Sequence, residues 1–283
     1  MGILGFVFVT IITRPITKLT DQIRDLDVKS LNSRISSTSS SEELVILTKS
    51  FNELLERVNK TLTREQQFIG DVAHEIKTPL SSLQTTIEVG LRNNRSIDDY
   101  KAILRNSLSD ANRIKKSLNQ ILDLAWTESR HENHKFETLN LSEILDDVLE
   151  IATKLASQKD IKVTSEVEKN IYVEGLKDRL GQMFINIIEN AINYTDKGSI
   201  VLTTKVRNNK VEIIITDTGR GIPNEDLDKI FDRFVRSTSS KNTKGTGIGL
   251  PIAQSIAKLH GGEIKVVSNL GSGSSFTVIL PHN

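Results

Sequence analysis

Two stretches of this chain carry side chains whose types and spacing could do chemistry. In the first, His74 is followed by Glu75, Thr78 and Pro79. Around it Ile69, Val72, Ile76, Leu80, Leu83, Ile87 and Leu91 recur at spacings of 3, 4, 4, 3, 4 and 4, which keeps one apolar stripe on one helical face. At about 100° per residue, His74 lies roughly 150° from the centre of that stripe, with Thr78 one turn further on the same side. Its imidazole is therefore expected in solvent, either as a nucleophile or as an ordinary surface group. Pro79 removes the hydrogen bond to the Glu75 carbonyl, so the helix is expected to be interrupted and bent beside His74, at about 3 kcal/mol or more. On this geometry alone the function stays open.

The second stretch is a set of three polar clusters. Asn186, Glu189, Asn190 and Asn193 stand three and four residues apart, on one face of a helix. The carboxamide oxygen of Asn is a hard ligand suited to Mg²⁺ with its waters and phosphate oxygens. A solvated helix face is the simpler reading, but Asn is a poor helix former and three in eight residues need a reason. Asp217-Thr-Gly219-Arg-Gly221-Ile-Pro223 ends a strand in a glycine turn. A carboxylate there could accept a hydrogen bond from an adenine amino group, with glycine backbone close to the ring. Lys244-Gly245-Thr246-Gly247-Ile-Gly249-Leu250 precedes a helix, whose free N–H groups and dipole favour phosphate. Between them, Arg236 to Lys244 is polar, without core residues, and is expected to be a mobile lid. Each cluster alone is weak, since a glycine loop is commonly only a turn.

The other histidines take plainer readings. His131 and His134 fall in a charged linker, and His282 is near the end of the sequence. His260 precedes Gly261-Gly262 and is expected at a helix C-terminus, favoured by the dipole and a glycine cap. With no cysteine, disulfides, thiolate–metal sites and a cysteine nucleophile are excluded. The 37 Lys+Arg against 36 Asp+Glu leave a formal charge of +1, which argues against nucleic acid as a partner. No G-x-x-x-x-G-K-[ST] occurs, which excludes a Walker-type nucleotide site, and the H-R-D and D-F-G motifs of eukaryotic-type kinases are also missing.

These groups must be positioned by two kinds of structure. Up to about Arg130 the pattern is helical; mean hydropathy is −0.24 and aromatics are only 5%. Ile3 to Ile12 is apolar but would cover roughly 15 Å as a helix, half a bilayer core, with Arg14, Lys18 and Arg24 following it. This fits the cytoplasmic end of a truncated membrane helix, with residues from Arg14 onward cytoplasmic. Ile16, Leu19, Ile23 and Leu26 mark one helix, Ser36 to Ser41 a solvated connector, and Leu44, Leu47, Phe51, Leu54, Leu55 and Val58 a second helix. The His74 helix and a second stripe (Leu104, Leu108, Ala111, Ile114, Leu118, Ile121, Ala125) form a hairpin. One hairpin cannot cover both stripes, so two should pair into a four-helix bundle and the chain should be a homodimer.

Arg130 to Asn140 reads as a charged, irregular linker. Beyond it, helices at about Ser142–Ser157, Lys177–Tyr194 and Pro251–His260 alternate with strands at Lys162–Glu168, Ile171–Glu174, Ser199–Arg207, Lys210–Asp217, Glu263–Ser268 and Ser274–Leu280. That is an α/β sandwich of one sheet under a layer of helices.

The order of these motifs resembles one family closely. The helix–connector–helix segment resembles a HAMP signal-relay module. Phe68-Ile-Gly-Asp-Val-Ala-His74-Glu75-Ile-Lys-Thr78-Pro79-Leu80 resembles the H-box of sensor histidine kinases nearly residue for residue. The three later clusters resemble the N, G1 and G2 boxes of the ATPase fold shared by histidine kinases, gyrase B subunits, the heat-shock chaperone and MutL. Phe231-Asp-Arg233-Phe234-Val-Arg236 resembles the kinases' F box.

The resemblance implies a truncated membrane helix (1–13), a HAMP linker (14–61), a dimerisation and histidine-phosphotransfer hairpin (62–130) and a catalytic ATP-binding domain (138–283). It implies autophosphorylation of His74 at Nε2 from ATP, with Glu75 orienting the ring. The phosphate then passes to an aspartate on a response regulator receiver domain, and Thr78 positions water for the reverse, dephosphorylating reaction. The implied metal is Mg²⁺ on Asn190. The implied nucleotide contacts are Asn186, Asn190, Asn193, Tyr194, Asp217, Gly219, Gly221, Phe234, Arg236, Lys244, Gly245, Thr246, Gly247, Gly249 and Leu250. The family often has Lys or Arg where Asn193 stands, a cation that Lys241, Lys244 or Arg236 could replace. An ATP-binding scaffold without catalysis and an ATP-driven clamp of the gyrase type are the alternatives. The intact His74, Asn190 and G2 glycines oppose the first, and the upstream H-box hairpin opposes the second.

Overall fold

The computed structural model describes residues 13–14, 16–24, 34–36, 41–92, 95–128, 135–235 and 246–282. The Ile3–Ile12 run, the connector residues 37–40, His131 and His134, and the lid segment 236–245 lie outside them. Among the described residues no helix is long and apolar enough to cross a membrane. The chain divides into two compact units, residues 1–73 and 74–283.

In the first unit, α1 (16–24) and the start of α2 (Glu42–Arg92) hold a small core of Leu19, Ile35 and Leu55, with Ile23 and Phe51 packed against it. Asn52 clips the connector to α2. Its side-chain oxygen accepts from the Ile35 amide at 3.0 Å and its Nδ2 donates to the Ile35 carbonyl at 2.9 Å. Both backbone groups of a residue outside any ladder are thereby satisfied. Only part of each apolar stripe is used, because Ile16, Leu47, Leu54 and Val58 stay exposed.

α2 runs unbroken for 51 residues through Pro79. The expected interruption is not there. The missing N–H frees one carbonyl, but the buried Pro79 ring is tolerated within the helix. α3 (Ile97–Glu128) opens with a capping box: the Ser96 hydroxyl accepts from the Asp99 amide at 3.1 Å, and the Asp99 carboxylate accepts from the Ser96 amide at 3.2 Å. The two arms touch where a side chain at Gly90 would come within 3.1 Å of Ile103, and where Ser82 donates to Asp110 at 3.0 Å. Leu80, Ile87, Leu91, Leu104, Leu108 and Leu118 remain exposed, an apolar face that this single hairpin leaves uncovered.

The rest of the second unit is the α/β part. Its five-stranded sheet has the order β2-β4-β5-β7-β6, from β2 (Asp160–Glu166), β4 (Lys197–Arg207), β5 (Lys210–Asp217), β6 (Glu263–Asn269) and β7 (Gly273–Pro281). β2 pairs parallel with β4, and the other neighbours are antiparallel. Strict alternation along the central strands places Ile200, Leu202, Ile213, Ile215, Phe276 and Val278 inside. They meet the apolar faces of α4 (Leu141–Ala156), α5 (Lys177–Tyr194) and α6 (Gly249–Leu259), among them Leu145, Phe184, Ile187 and Ile256.

One expectation fails here. Glu137–Asn140, within the stretch read as irregular linker, is β1, paired antiparallel with β3 (Tyr172–Gly175). Four residues of mixed polarity carry too little periodicity to reveal a two-stranded ribbon. The Asn140 side chain at its end accepts from the Ser142 amide and caps α4.

Candidate functional site

His74 and Thr78 are exposed on α2, as the helical arithmetic requires, and Glu75 is half-buried. The Thr78 hydroxyl donates to the His74 carbonyl at 3.1 Å, which leaves its oxygen lone pairs free to accept. Among the described residues no hydrogen bond joins Glu75 to the His74 ring.

The polar clusters of the α/β part converge on one cavity of about 680 Å³. Asn186, Asn190, Asn193 and Tyr194 line it from α5, Asp217 from the end of β5, Gly221 from the turn after it, and Thr246, Gly247, Gly249 and Leu250 from the start of α6. Two expected contacts, Gly219 and Phe234, are not among the residues that line it but are bonded to ones that do. The Gly219 amide donates to Asp217 at 2.8 Å, and the Phe234 amide, at φ 60°, donates to the Gly247 carbonyl at 3.0 Å. Arg236, Lys244 and Gly245 lie outside the described residues.

Asp217 is buried at the floor. Burial raises its pKa above the ordinary carboxylate value, opposed by hydrogen bonds from the Gly219 and Ser274 amides to Oδ1. Those two bonds orient the group and leave the second oxygen for a ligand. Gly221, at φ 71°, is required on two counts: the left-handed backbone, and a Cβ that would stand 2.1 Å from the Asn269 carbonyl oxygen. α6 begins after Ile248 with no side-chain cap, so its first amides face the cleft at Gly249 and Leu250.

The wall fits a nucleotide and a hard cation. Asn186 Nδ2 is buried without a hydrogen-bond partner, a donor that an oxygen ligand would satisfy. Among the described residues no cluster of three His, Cys, Asp or Glu side chains could hold a metal by itself. A metal here would lean on Asn oxygens, on water and on phosphate, and Mg²⁺ is a hard cation that keeps several waters and shares substrate phosphates.

A feature of the cleft escaped the sequence reading. α3 forms part of its wall through Ser109, Asp110, Asn112, Arg113, Lys116 and Gln120. Lys116 Nζ is 2.7 Å from Glu189 Oε2, and the Thr246 hydroxyl donates to Gln120 at 2.8 Å. One turn on, Asp123 accepts from Arg179 Nη1 at 2.8 Å and from Gln182, while the Arg179 guanidinium lies 3.7 Å over the Trp126 ring. The available signal was the polar series at 113, 116, 120 and 123, again three and four apart, opposite the apolar stripe.

His260 stands at the C-terminus of α6, as expected. It is also a buried strut: Nε2 accepts from the Leu176 amide at 3.1 Å, and Nδ1 lies 2.8 Å from the Ile256 carbonyl. Burial lowers its pKa, so the ring is neutral with the proton on Nδ1. The glycine cap itself is present, with the Gly262 amide donating to the Ala257 carbonyl at 2.8 Å.

Comparison with known proteins agrees with this arrangement. Residues 7–60 match the HAMP domain, 64–130 the His Kinase A (phospho-acceptor) domain, and 175–283 the Histidine kinase-, DNA gyrase B-, and HSP90-like ATPase family. The signal transduction histidine-protein kinase ArlS of Staphylococcus aureus is 30% identical over 98% of this chain. The chain belongs to the sensor histidine kinases. It spans 62% of the length of ArlS, so this sensor histidine kinase is compared with only part of that relative. The histidine kinase AdeS of Acinetobacter baumannii shares its fold, with a TM-score of 0.60 at 23% identity over 74% of this chain and 98% of AdeS. Full-length ShkA, in complex with AMPPNP, does so with a TM-score of 0.58 at 23% identity over 76% of this chain and 46% of ShkA. The ATPase domain of this sensor histidine kinase implies ATP binding.

Proposed function

We propose that the chain is an ATP-dependent autokinase in which His74 accepts the γ-phosphoryl group. The observation that carries the reading is the convergence of Asn186, Asn190, Asp217, Gly221, Thr246, Gly247 and Gly249 on one cavity, in a chain that also presents His74 to solvent. Asp217 accepts a hydrogen bond from the adenine amino group, and the amides at the start of α6 hold phosphate oxygens. Asn190, with Asn186 beside it, would hold Mg²⁺, which would supply charge neutralisation on the triphosphate.

In the transfer, the lone pair of His74 Nε2 forms the N–P bond as the bond from phosphorus to the β,γ-bridging oxygen breaks. ADP leaves with that electron pair. The ring becomes cationic with its proton on Nδ1, and Glu75 accepts a hydrogen bond from that proton and steadies the charge. Rate comes from positioning and electrostatics.

The phosphoryl group then passes to an aspartate of a response regulator receiver domain, and the same protein dephosphorylates that partner with Thr78 orienting water. The exposed stripe of α2 and α3 supports a homodimer built as a four-helix bundle. The apolar run before Arg14 and the HAMP segment support attachment to the cell membrane with the remainder cytoplasmic. We place the working boundaries at 1–13, 14–61, 62–130 and 138–283.

Incubation with γ-labelled ATP and Mg²⁺ tests the reading. Label that is lost in acid and kept in alkali is phosphohistidine. Absence of label, or acid-stable label, removes the proposal.

A further inference from the structure

Among the described residues the cations that line the cleft are Arg113, Lys116 and Arg220, and the Arg220 guanidinium lies 4.5 Å over the Tyr194 ring. The α5 face that lines it offers Asn186, Glu189, Asn190 and Asn193, with no Lys or Arg among them. One divalent ion on Asn190 would leave the polyphosphate with net negative charge beside the Glu189 carboxylate. The nearest positive group to Glu189 comes from the phospho-acceptor hairpin: Lys116 Nζ of α3, at 2.7 Å.

α3 is held in this position by contacts on one of its faces. Gln120, one turn after Lys116, accepts from Thr246 at the mouth of α6, and Asp123 is bonded to Arg179 and Gln182 at the start of α5. Lys116 thus lines the same cavity as Asn190 of α5 and Gly249 and Leu250 at the start of α6. Its side chain is 57% exposed and that of Glu189 28%, so their ion pair is worth little by itself and is readily exchanged for a phosphate oxygen. Arg113 lines the same wall one turn earlier and makes no ion pair among the described residues.

The register of the hairpin adds a spatial reason. Ser82 meets Asp110, and eight residues back on α2 and eight on along α3 put His74 level with Leu118. Lys116 and Gln120 therefore bracket the acceptor's own level on the hairpin.

We propose that Lys116 is a nucleotide-binding residue, contributed by the phospho-acceptor hairpin, whose ammonium contacts the polyphosphate of ATP. This rests on the reading of the cleft as an ATP site.

The test is calorimetric titration of the whole chain with MgATP for the wild type, Lys116→Met and Lys116→Arg. AMP binding is followed by NMR shifts in the same proteins. The expected result is ATP binding about five- to tenfold weaker in Lys116→Met and largely restored in Lys116→Arg, with AMP shifts unchanged. Unchanged AMP binding also shows that the cleft remains folded. The ATP affinity of Lys116→Met should in addition fall less steeply with salt. Equal ATP affinity in Lys116→Met overturns the assignment. Tighter binding overturns it too, and makes Lys116 a brace on Glu189. A wild-type chain that binds neither ATP nor AMP would instead remove the nucleotide reading itself, a result distinct from either.

Discussion

Asp217 and Ser274 are partners across the antiparallel β5–β7 ladder, and the Ser274 amide also donates to the Asp217 carboxylate at 3.3 Å. With the Gly219 amide on the same oxygen, the sheet fixes the carboxylate's rotation and leaves its other oxygen toward the cleft. The group proposed to read the base is thus built into the most regular part of the fold.

Asp217→Asn keeps the shape and the oxygen that accepts from Gly219 and Ser274, but it puts an amide donor where an acceptor is needed. ATP affinity should fall about tenfold or more, and discrimination between ATP and GTP should narrow. Because burial raises the pKa of Asp217 in the folded state, its ionised form costs stability at neutral pH. That cost shrinks as pH falls through the raised value. The Asn variant should therefore melt at or above the wild-type temperature at pH 7, with the difference closing on acidification. A lower melting temperature at pH 7 together with unchanged nucleotide discrimination would contradict both parts.

Asn190→Ala and His74→Gln separate holding the nucleotide from receiving the phosphate. Asn190→Ala should lose Mg²⁺-dependent ATP binding and labelling together, each by more than about tenfold. His74→Gln should lose all label while ATP affinity stays within about twofold of wild type, since an exposed α2 side chain is not on the cleft wall. Label persisting in His74→Gln would place the acceptor elsewhere, and full activity in Asn190→Ala would move the metal.

His260 makes a prediction about stability alone. Its folded pKa is depressed by burial, so the unfolded chain takes up a proton first as pH falls. The stability tied to the neutral ring is present above the unfolded value of about 6.5 and is lost as pH drops below it toward the folded value. His260→Phe leaves the Leu176 amide without its acceptor and should cost about 1–3 kcal/mol at pH 8. The same variant should show a flatter decline in stability between pH 7 and pH 5. A decline as steep as that of the wild type would show that other groups govern the acid sensitivity.

Helical period was enough to place His74 and Thr78 in solvent and to set the four polar α5 residues on one face, because both follow from spacing within a single helix. α5 and β5 begin and end where that pattern does, at Lys177–Tyr194 and Lys210–Asp217. What spacing cannot express is contact between elements far apart in the chain. The Gln120–Thr246 bond joins residues 126 positions apart, and neither side chain alone announces it. The same limit applies to His260, whose acceptor role depends on an amide 84 residues away. Pro79 misled on the helix's continuity for a different reason: its local cost is real, but helix already formed on either side propagates through the turn.

Thr78 separates two activities assigned to one helical face. Its hydroxyl proton is committed to the His74 carbonyl, so it faces solvent as an acceptor. Phosphoryl transfer from ATP needs the His74 lone pair and a nucleotide held by the α/β part, and Thr78 adds little to either. Dephosphorylation of a docked receiver aspartate needs a water aligned with phosphorus, and an accepting hydroxyl one turn from His74 can fix that water's orientation. Thr78→Ala should keep most of the labelling rate and lose dephosphorylation of the cognate regulator. Alanine raises helix propensity slightly, so the helix itself should not suffer. The measurement is decay of the phosphorylated regulator with wild type and variant, beside the labelling of each by ATP. Thr78→Ser, which keeps the hydroxyl, should restore the decay. Equal loss of both activities in Thr78→Ala would assign the hydroxyl to supporting the backbone before Pro79, and no loss of either would leave it an ordinary surface threonine.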